Sequence, residues 1–294
     1  MTAETLRFAY YPGCSLHSTA REYDLSTRAV ARAAGAELIE IPDWNCCGAS
    51  SAHVTDPFLG FALPARTLAQ GEEMGLDIVT PCAACYGRLM AAREEARRHP
   101  DLVRRFEAAT GRKLTGRVRV LNVLEFLGEP RVAEAIAGKV HRPLTGMKVA
   151  PYYGCLLVRP PKVTHFDNPE RPVTMDRLLA TAGAEVVDFP FKTECCGASL
   201  GVSRVELVVE LAARILEAAA RAGAEAVAVA CPLCQTNLDG RQTAAAAKRH
   251  ARFGLPVYYI TQLVGLALGL GPSELGLGRQ LTDTMGLLRR KKLA

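Results

Sequence analysis

Glu194-Cys195-Cys196-Gly197 and its earlier twin Asn45-Cys46-Cys47-Gly48 are the stretches from which this chain is read. A lone cysteine after glycine precedes each pair, at Pro12-Gly13-Cys14 and at Tyr153-Gly154-Cys155. A C-x-x-C follows each pair after 34 intervening residues, at Cys82/Cys85 and Cys231/Cys234. All ten cysteines belong to these two sets of five. Cys195 lies 149 positions after Cys46, and Cys231 lies 149 positions after Cys82. Cys155 lies only 141 positions after Cys14, so the second half carries eight extra residues, assigned to the Pro-rich loop Arg159 to Pro172. A pattern that repeats in register marks two like units, here 1–145 and 146–294.

The segments between the cysteines alternate in period. Apolar runs at Leu6–Tyr11, Glu37–Ile41, Leu76–Thr80 and Arg117–Leu121 read as strands. Helical spacing follows over Tyr23–Ala34, over Pro57–Met74 with a kink expected at Pro64, from Cys82 towards His99, and over Val123–Leu127. The second half repeats the order. Its strands are Val149–Tyr153, Glu185–Phe189, Ala226–Ala230 and Pro256–Ile260, and its helices Met175–Ala182, Val205–Ala222 and Gln262–Leu268. Strands alternating with helices predict an α/β chain of two repeated Rossmann-like halves, each with a parallel sheet, related by a pseudo-twofold axis. In each half the lone cysteine, the pair and the C-x-x-C all follow strands. They are expected at one sheet edge, where open α/β folds bind ligands.

Composition narrows the function. The chain has 294 residues, 49% apolar and 22% charged, which suits two medium domains with proper cores. No apolar run of membrane-spanning length is free of charge, so no membrane span is expected. Met1 to Ala9 lacks the apolar core of a signal peptide, which points to a reducing, cytoplasmic setting where disulfide frameworks are rare. Adjacent cysteines are also poor disulfides, because neighbouring Cα atoms sit about 3.8 Å apart and an unstrained bridge needs roughly 4.4–6.8 Å. The net charge of +6 is spread along the chain except at Arg289-Arg290-Lys291-Lys292. Aromatics are 6% and not interleaved with that run, which argues against nucleic acid. The run reads as a solvated end or as a docking patch for an acidic partner.

Three chemistries compete for five thiols per set. Zinc takes four ligands in a closed tetrahedron, which leaves one cysteine over and suits adjacent cysteines badly. Thioredoxin-like exchange uses one C-x-x-C and leaves three cysteines of each set without a role. Iron–sulfur clusters accept thiolates at varied spacing and account for the whole set, whether or not the fifth cysteine is a ligand. A C-x-x-C on a first helical turn shares one face and lies at a helix N-terminus, which favours thiolate. Gly48 and Gly197 let the backbone approach closely, so that turn amides can donate to sulfur.

The pattern resembles the cysteine-rich CCG-domain family, and within it the B subunit of heterodisulfide reductase. The matching residues are Tyr11-Pro12-Gly13-Cys14, Asn45-Cys46-Cys47-Gly48, Pro81-Cys82-Ala83-Ala84-Cys85, Tyr153-Gly154-Cys155, Phe166-Asp167-Asn168-Pro169, Glu194-Cys195-Cys196-Gly197 and Cys231-Pro232-Leu233-Cys234. The resemblance implies two noncubane [4Fe-4S] clusters, one held by Cys14, Cys46, Cys47, Cys82 and Cys85, the other by Cys155, Cys195, Cys196, Cys231 and Cys234. It implies reduction or formation of a disulfide, or a related sulfur compound, between them. Its implied partners are a ferredoxin-like subunit and a flavoprotein subunit of the same complex, with a small disulfide or sulfur carrier as substrate. No cysteines are left for an added ferredoxin-like region of the kind other CCG proteins carry. The competing reading is a non-catalytic electron-relay component of another oxidoreductase complex.

Around the cysteines, His17 and His53 have no histidine at their repeat counterparts, Val158 and Val202, while the second half has His165 in its insertion. His17 and His53 are the candidate catalytic proton donors to a departing thiolate, against the ordinary role of loop hydrogen bonding. Arg159 and Lys162 are candidates for an anionic substrate, against that of solvated loop charges. Trp44, the only tryptophan, is a candidate shield for a cluster. The two cysteine sets are expected to face one another across a shared cleft.

Overall fold

In the computed structural model, which describes residues 5–293, eight strands form two parallel sheets of four. The outer ends of the two expected halves, residues 1–4 and 294, lie outside the described residues. The strands of the first sheet are β1 (Leu6–Tyr10), β2 (Ala36–Glu40), β3 (Ile78–Thr80) and β4 (Val120–Asn122), in the order β2-β1-β3-β4. Those of the second are β5 (Lys148–Tyr152), β6 (Glu185–Val186), β7 (Ala226–Val229) and β8 (Val257–Tyr259), in the order β6-β5-β7-β8. The two orders are the same, and both sheets are wholly parallel. β3 and β7 are buried along their whole length, as strands covered on both faces must be.

The chain goes from β1 to β2 on one side and then returns past β1 to β3. The order therefore reverses between β1 and β3, and likewise between β5 and β7, so each sheet has a switch point of the kind at which open α/β folds bind ligands. The lone cysteine follows one strand of this pair and the C-x-x-C the other.

The halves pack reciprocally. Helix Arg21–Ala33 of the first half lies against Ile260–Ala267 of the second, and Thr174–Thr181 of the second lies against Val123–Leu127 of the first. Tyr23 stacks on Tyr259 with ring centroids 3.9 Å apart and planes 8° from parallel. Ser26 and Thr261 hydroxyls share a buried hydrogen bond of 2.7 Å, and the Tyr86 hydroxyl donates to the Thr164 carbonyl at 2.7 Å. The insertion thus becomes part of the join: Thr164 and Phe166 are buried, and Asp167 accepts from the Val173 and Thr174 amides at 2.8 Å each.

Helix Pro57–Met74 spans the expected residues and runs on through Pro64, ending at Gly75 in the left-handed region. Pro64 has no N–H to give to the Gly60 carbonyl one turn back. Arg88 supplies the missing donor, its Nη2 lying 2.6 Å from that oxygen. Several helices go beyond the sequence reading: Pro100–Thr110, Pro130–Gly138, Pro232–Gly240, Gln242–Arg249 and Thr284–Arg290. The last corrects the expected solvated tail. Leu287, Leu288 and Leu293 are buried, the Tyr258 hydroxyl donates to the Thr284 carbonyl, and Lys291 reaches Glu225 at 2.7 Å, so apolar residues spaced among the basic ones tie the end down. Among the described residues no helix is long and apolar enough to cross a membrane.

Glu125 sits at the join, at the third position of helix Val123–Leu127, within reach of the Tyr86 hydroxyl. Burial raises its carboxyl from 4.5 to about 7. Burial outweighs the Asn122 N–H and the Tyr86 hydroxyl, which both favour the carboxylate. A carboxyl raised on folding makes the native state less stable as pH rises from its unfolded to its folded value. Wild type should therefore lose stability relative to Glu125→Gln between pH 4.5 and 7, by up to about 3 kcal/mol. Denaturant titrations of both proteins across this range would measure it, and parallel curves would refute it.

Candidate metal centre

In the first half, Cys14 stands on the short helix Gly13–His17 just beyond β1, Cys46 and Cys47 lie in the loop after β2, and Cys82 and Cys85 open helix Ala83–Arg98 after β3. The second half matches it, with Cys155 beyond β5, Cys195 and Cys196 in the loop beyond β6, and Cys231 and Cys234 at the start of helix Pro232–Gly240. All ten cysteines are free. Cys47 and Cys85 sulfurs lie 3.4 Å apart, Cys196 and Cys234 3.6 Å, and Cys14 and Cys46 4.0 Å. Cys155 lies near enough to Cys195 for the two thiols to perturb one another.

The two sets meet. Cys82 and Cys231, each the first cysteine of its C-x-x-C and each almost wholly buried, lie near enough to perturb one another, and Ala83 lines one small cavity with Cys231 and Cys234. Close thiol pairs therefore stand on both sides of the join, Cys47 with Cys85 in the first half and Cys196 with Cys234 in the second, with Cys82 and Cys231 between them. Among the described residues no three side chains of His, Cys, Asp or Glu close on a single point as the ligands of one ion do.

A scaffold repeated in both halves aims these sulfurs. The Tyr11 hydroxyl donates to the carbonyl of Asn45 at 2.7 Å, and that of Tyr152 donates to the carbonyl of Glu194 at 2.6 Å. Each tyrosine clamps the residue before its Cys-Cys pair. Gly13 and Gly154 have φ of 70° and 69°, and a Cβ there would lie 2.8 Å from the Cys85 sulfur and 3.0 Å from that of Cys234. Backbone amides of the turns point at sulfur: Gly48 to Cys46 at 3.5 Å, Gly197 to Cys195 at 3.3 Å and Ala198 to Cys196 at 3.4 Å. Hydrogen bonds from Cys46 and Cys85 hold the Cys47 thiol well below its ordinary range, and one from Cys155 lowers Cys195 to about 6. Cys46 and Cys155, the donors to those thiolates, are raised.

The other candidate residues lie at varied distances from this core. His17 is exposed, with Nε2 3.1 Å from Glu40 and its ring edge-on to Trp44 at 4.9 Å. Trp44 in turn meets the Tyr11 ring at 5.6 Å and donates to Glu40 at 3.0 Å, so it shields the tyrosine clamp. His53 and Lys162 are exposed, on the short helices Ala52–Thr55 and Pro161–Thr164, and His165 caps the second of these. Arg159 donates to the Thr193 carbonyl at 2.9 Å and pairs with Glu170, which braces the approach to Cys195. No hydrogen bond among the described residues joins His17 or His53 to a thiol. The clamps Tyr11 and Tyr152 were open to discovery from the repeat, since each stands three residues before its lone cysteine.

Known proteins place this geometry. The model of the CCG cysteine-rich domain matches residues 8–90 and again 149–239. The chain is 35% identical to the 8-methylmenaquinol:fumarate reductase membrane anchor subunit of Wolinella succinogenes, over 95% of this chain and 98% of that protein. It is 30% identical to the B subunit of the ferredoxin/F420H2-dependent CoB-CoM heterodisulfide reductase of Methanosarcina acetivorans, over 97% of this chain and 96% of that one. Among solved structures, a hypothetical protein from Helicobacter pylori superposes with a TM-score of 0.77 at 12% identity. It shares the fold over 96% of this chain, which spans 53% of that one.

The glycine contacts give a direct test. Gly13→Ala should cost more stability than Gly35→Ala, although both glycines have φ near 70° and Gly35 faces nothing within 4 Å. The backbone strain common to both is about 1–2 kcal/mol, and crowding against Cys85 adds roughly 1–3 kcal/mol to Gly13→Ala alone. Equal losses in denaturant unfolding would mean that Gly13 is kept for its turn and not for the sulfur.

Proposed function

This chain belongs to the cysteine-rich CCG domain family, and we propose that it is the iron–sulfur redox component of an oxidoreductase complex, working on a disulfide or related sulfur compound where its two thiol sets adjoin. The nearness of Cys82 and Ala83 to Cys231 carries the reading, because it puts both sets at one junction, as chemistry on a shared substrate needs.

The donors fit iron–sulfur clusters. Ten free thiols stand at the carboxyl ends of parallel strands, several of them held towards thiolate and met by backbone amides. Thiolates with amide donors are the ligands and the tuning groups that such clusters use. Five free thiols per set also exceed the four ligands that one tetrahedral ion takes. In this reading Cys14, Cys46, Cys47, Cys82 and Cys85 hold one noncubane [4Fe-4S] cluster and Cys155, Cys195, Cys196, Cys231 and Cys234 the other, in domains 1–145 and 146–294. Bound there, the clusters would supply and accept single electrons. The chain's own part is to hold the thiolates, exclude water from the buried junction, and orient them through Tyr11 and Tyr152. His17 and His53 are the proton donors assigned to a departing thiolate. Arg159 and Lys162 serve an anionic substrate. Electrons would come from a ferredoxin-like partner and a flavoprotein partner in the same complex, in a reducing, cytoplasmic setting where free thiols persist.

A second reading is favoured by the Wolinella relative, named as the membrane anchor of a fumarate reductase. There the same two centres would relay electrons within a quinol-linked complex, with no sulfur substrate. Turnover of a small disulfide by the anaerobically purified complex separates the two.

Protein purified without oxygen should carry about eight iron atoms per chain, the complement of two four-iron clusters. Stoichiometric zinc without iron or visible absorbance would reject the assignment. Cys196→Ser should remove or distort the second centre alone, since a hydroxyl is a poorer ligand than a thiolate, leaving about half of the iron. Loss of all iron would mean that the halves share ligands.

A further inference from the structure

The scaffold repeats, but two charged positions within it do not. Three residues after the last cysteine of each set, on the same helix face, the first half has Arg88 and the second Asn237. Asn237 is buried, and its Nδ2 lies 3.1 Å from the Cys196 carbonyl, 3.5 Å from the Cys196 sulfur and 3.2 Å from the Ala198 carbonyl. Arg88 holds the equivalent helix position, one turn beyond Cys85, whose sulfur lies 3.4 Å from that of Cys47. Its Nη2 is used by the Gly60 carbonyl, its Nε is buried with no hydrogen-bond partner, and no carboxylate pairs with it among the described residues. A partly buried guanidinium without a carboxylate counter-ion is costly unless an anion lies near. The second exchange lies just before the Cys-Cys pair, where the first half has neutral Asn45 and the second the anionic Glu194.

Both exchanges act in the same direction. Resting on the reading of one iron–sulfur centre per half, we propose that Arg88 makes the first centre the stronger electron acceptor, so that the two centres titrate at different potentials and the first is reduced first. A fixed cation favours the more negative, reduced state of a nearby cluster, and an anion disfavours it. Glu194 is exposed and screened, so Arg88 carries most of the difference. Arg159, near the second set, is already paired with Glu170 and does not offset it. Arg88 is a positioning and tuning residue, distinct from any group that touches substrate.

The test is a reductive titration of the iron-loaded protein, followed by visible absorbance and electron paramagnetic resonance, with iron measured on each sample. Wild type should show two one-electron waves. In Arg88→Gln the higher wave should move down by about tenfold in its oxidised-to-reduced ratio, about 59 mV, while the lower stays in place. Arg88→Lys should restore most of it, because the charge returns without the guanidinium geometry. In Cys196→Ser the surviving wave should be the higher one, an arm that needs no change at Arg88. A single shared wave in wild type, a surviving lower wave in Cys196→Ser, or both waves moving together in Arg88→Gln would overturn the proposal. Absence of iron from wild type would instead overturn the iron–sulfur reading on which it rests.

Discussion

The closeness of Cys82 to Cys231 is the constraint around which the rest of the molecule is arranged. Two nearly buried thiols adjoin beyond the ends of β3 and β7, and both sheets must present those ends to one another for this to happen. The reciprocal packing of helices and the stacked Tyr23 and Tyr259 at the join supply the apolar area that holds the sheets in that orientation. A slip of either half would separate the thiols, so the interface between the halves is also the floor of the candidate centre.

Holding many free thiols close without linking them is a second constraint, met by repeated local devices. Tyr11 and Tyr152 pull the loop before each pair towards the sheet. Gly13 and Gly154 bring backbone within touching distance of Cys85 and Cys234, which no residue with a side chain could do. Amides of Gly48, Gly197 and Ala198 then favour thiolate over thiol. These devices come in pairs because the site is built twice. Differences between the pairs, Arg88 with Asn237 and Asn45 with Glu194, are where the two centres can acquire separate properties.

Spacing alone was enough to determine the duplication, the parallel α/β class and the positions of all ten thiols, because each cysteine motif follows an apolar strand and breaks at glycine or proline. Local rules also found most elements, since helix Pro57–Met74 carries its proline at the start and its glycine at the stop. They missed the packed tail, where a basic run outweighed the Leu287, Leu288 and Leu293 pattern beneath it. Only the tertiary structure decided that the sets adjoin at Cys82 and Cys231, that the Gly60 carbonyl left without a donor by Pro64 is served by Arg88, and that His53 and Lys162 stand at the surface. The physical reason is distance in sequence. Periodicity reports which face of an element is apolar, but which residues meet across two sheets is settled by how those faces pack.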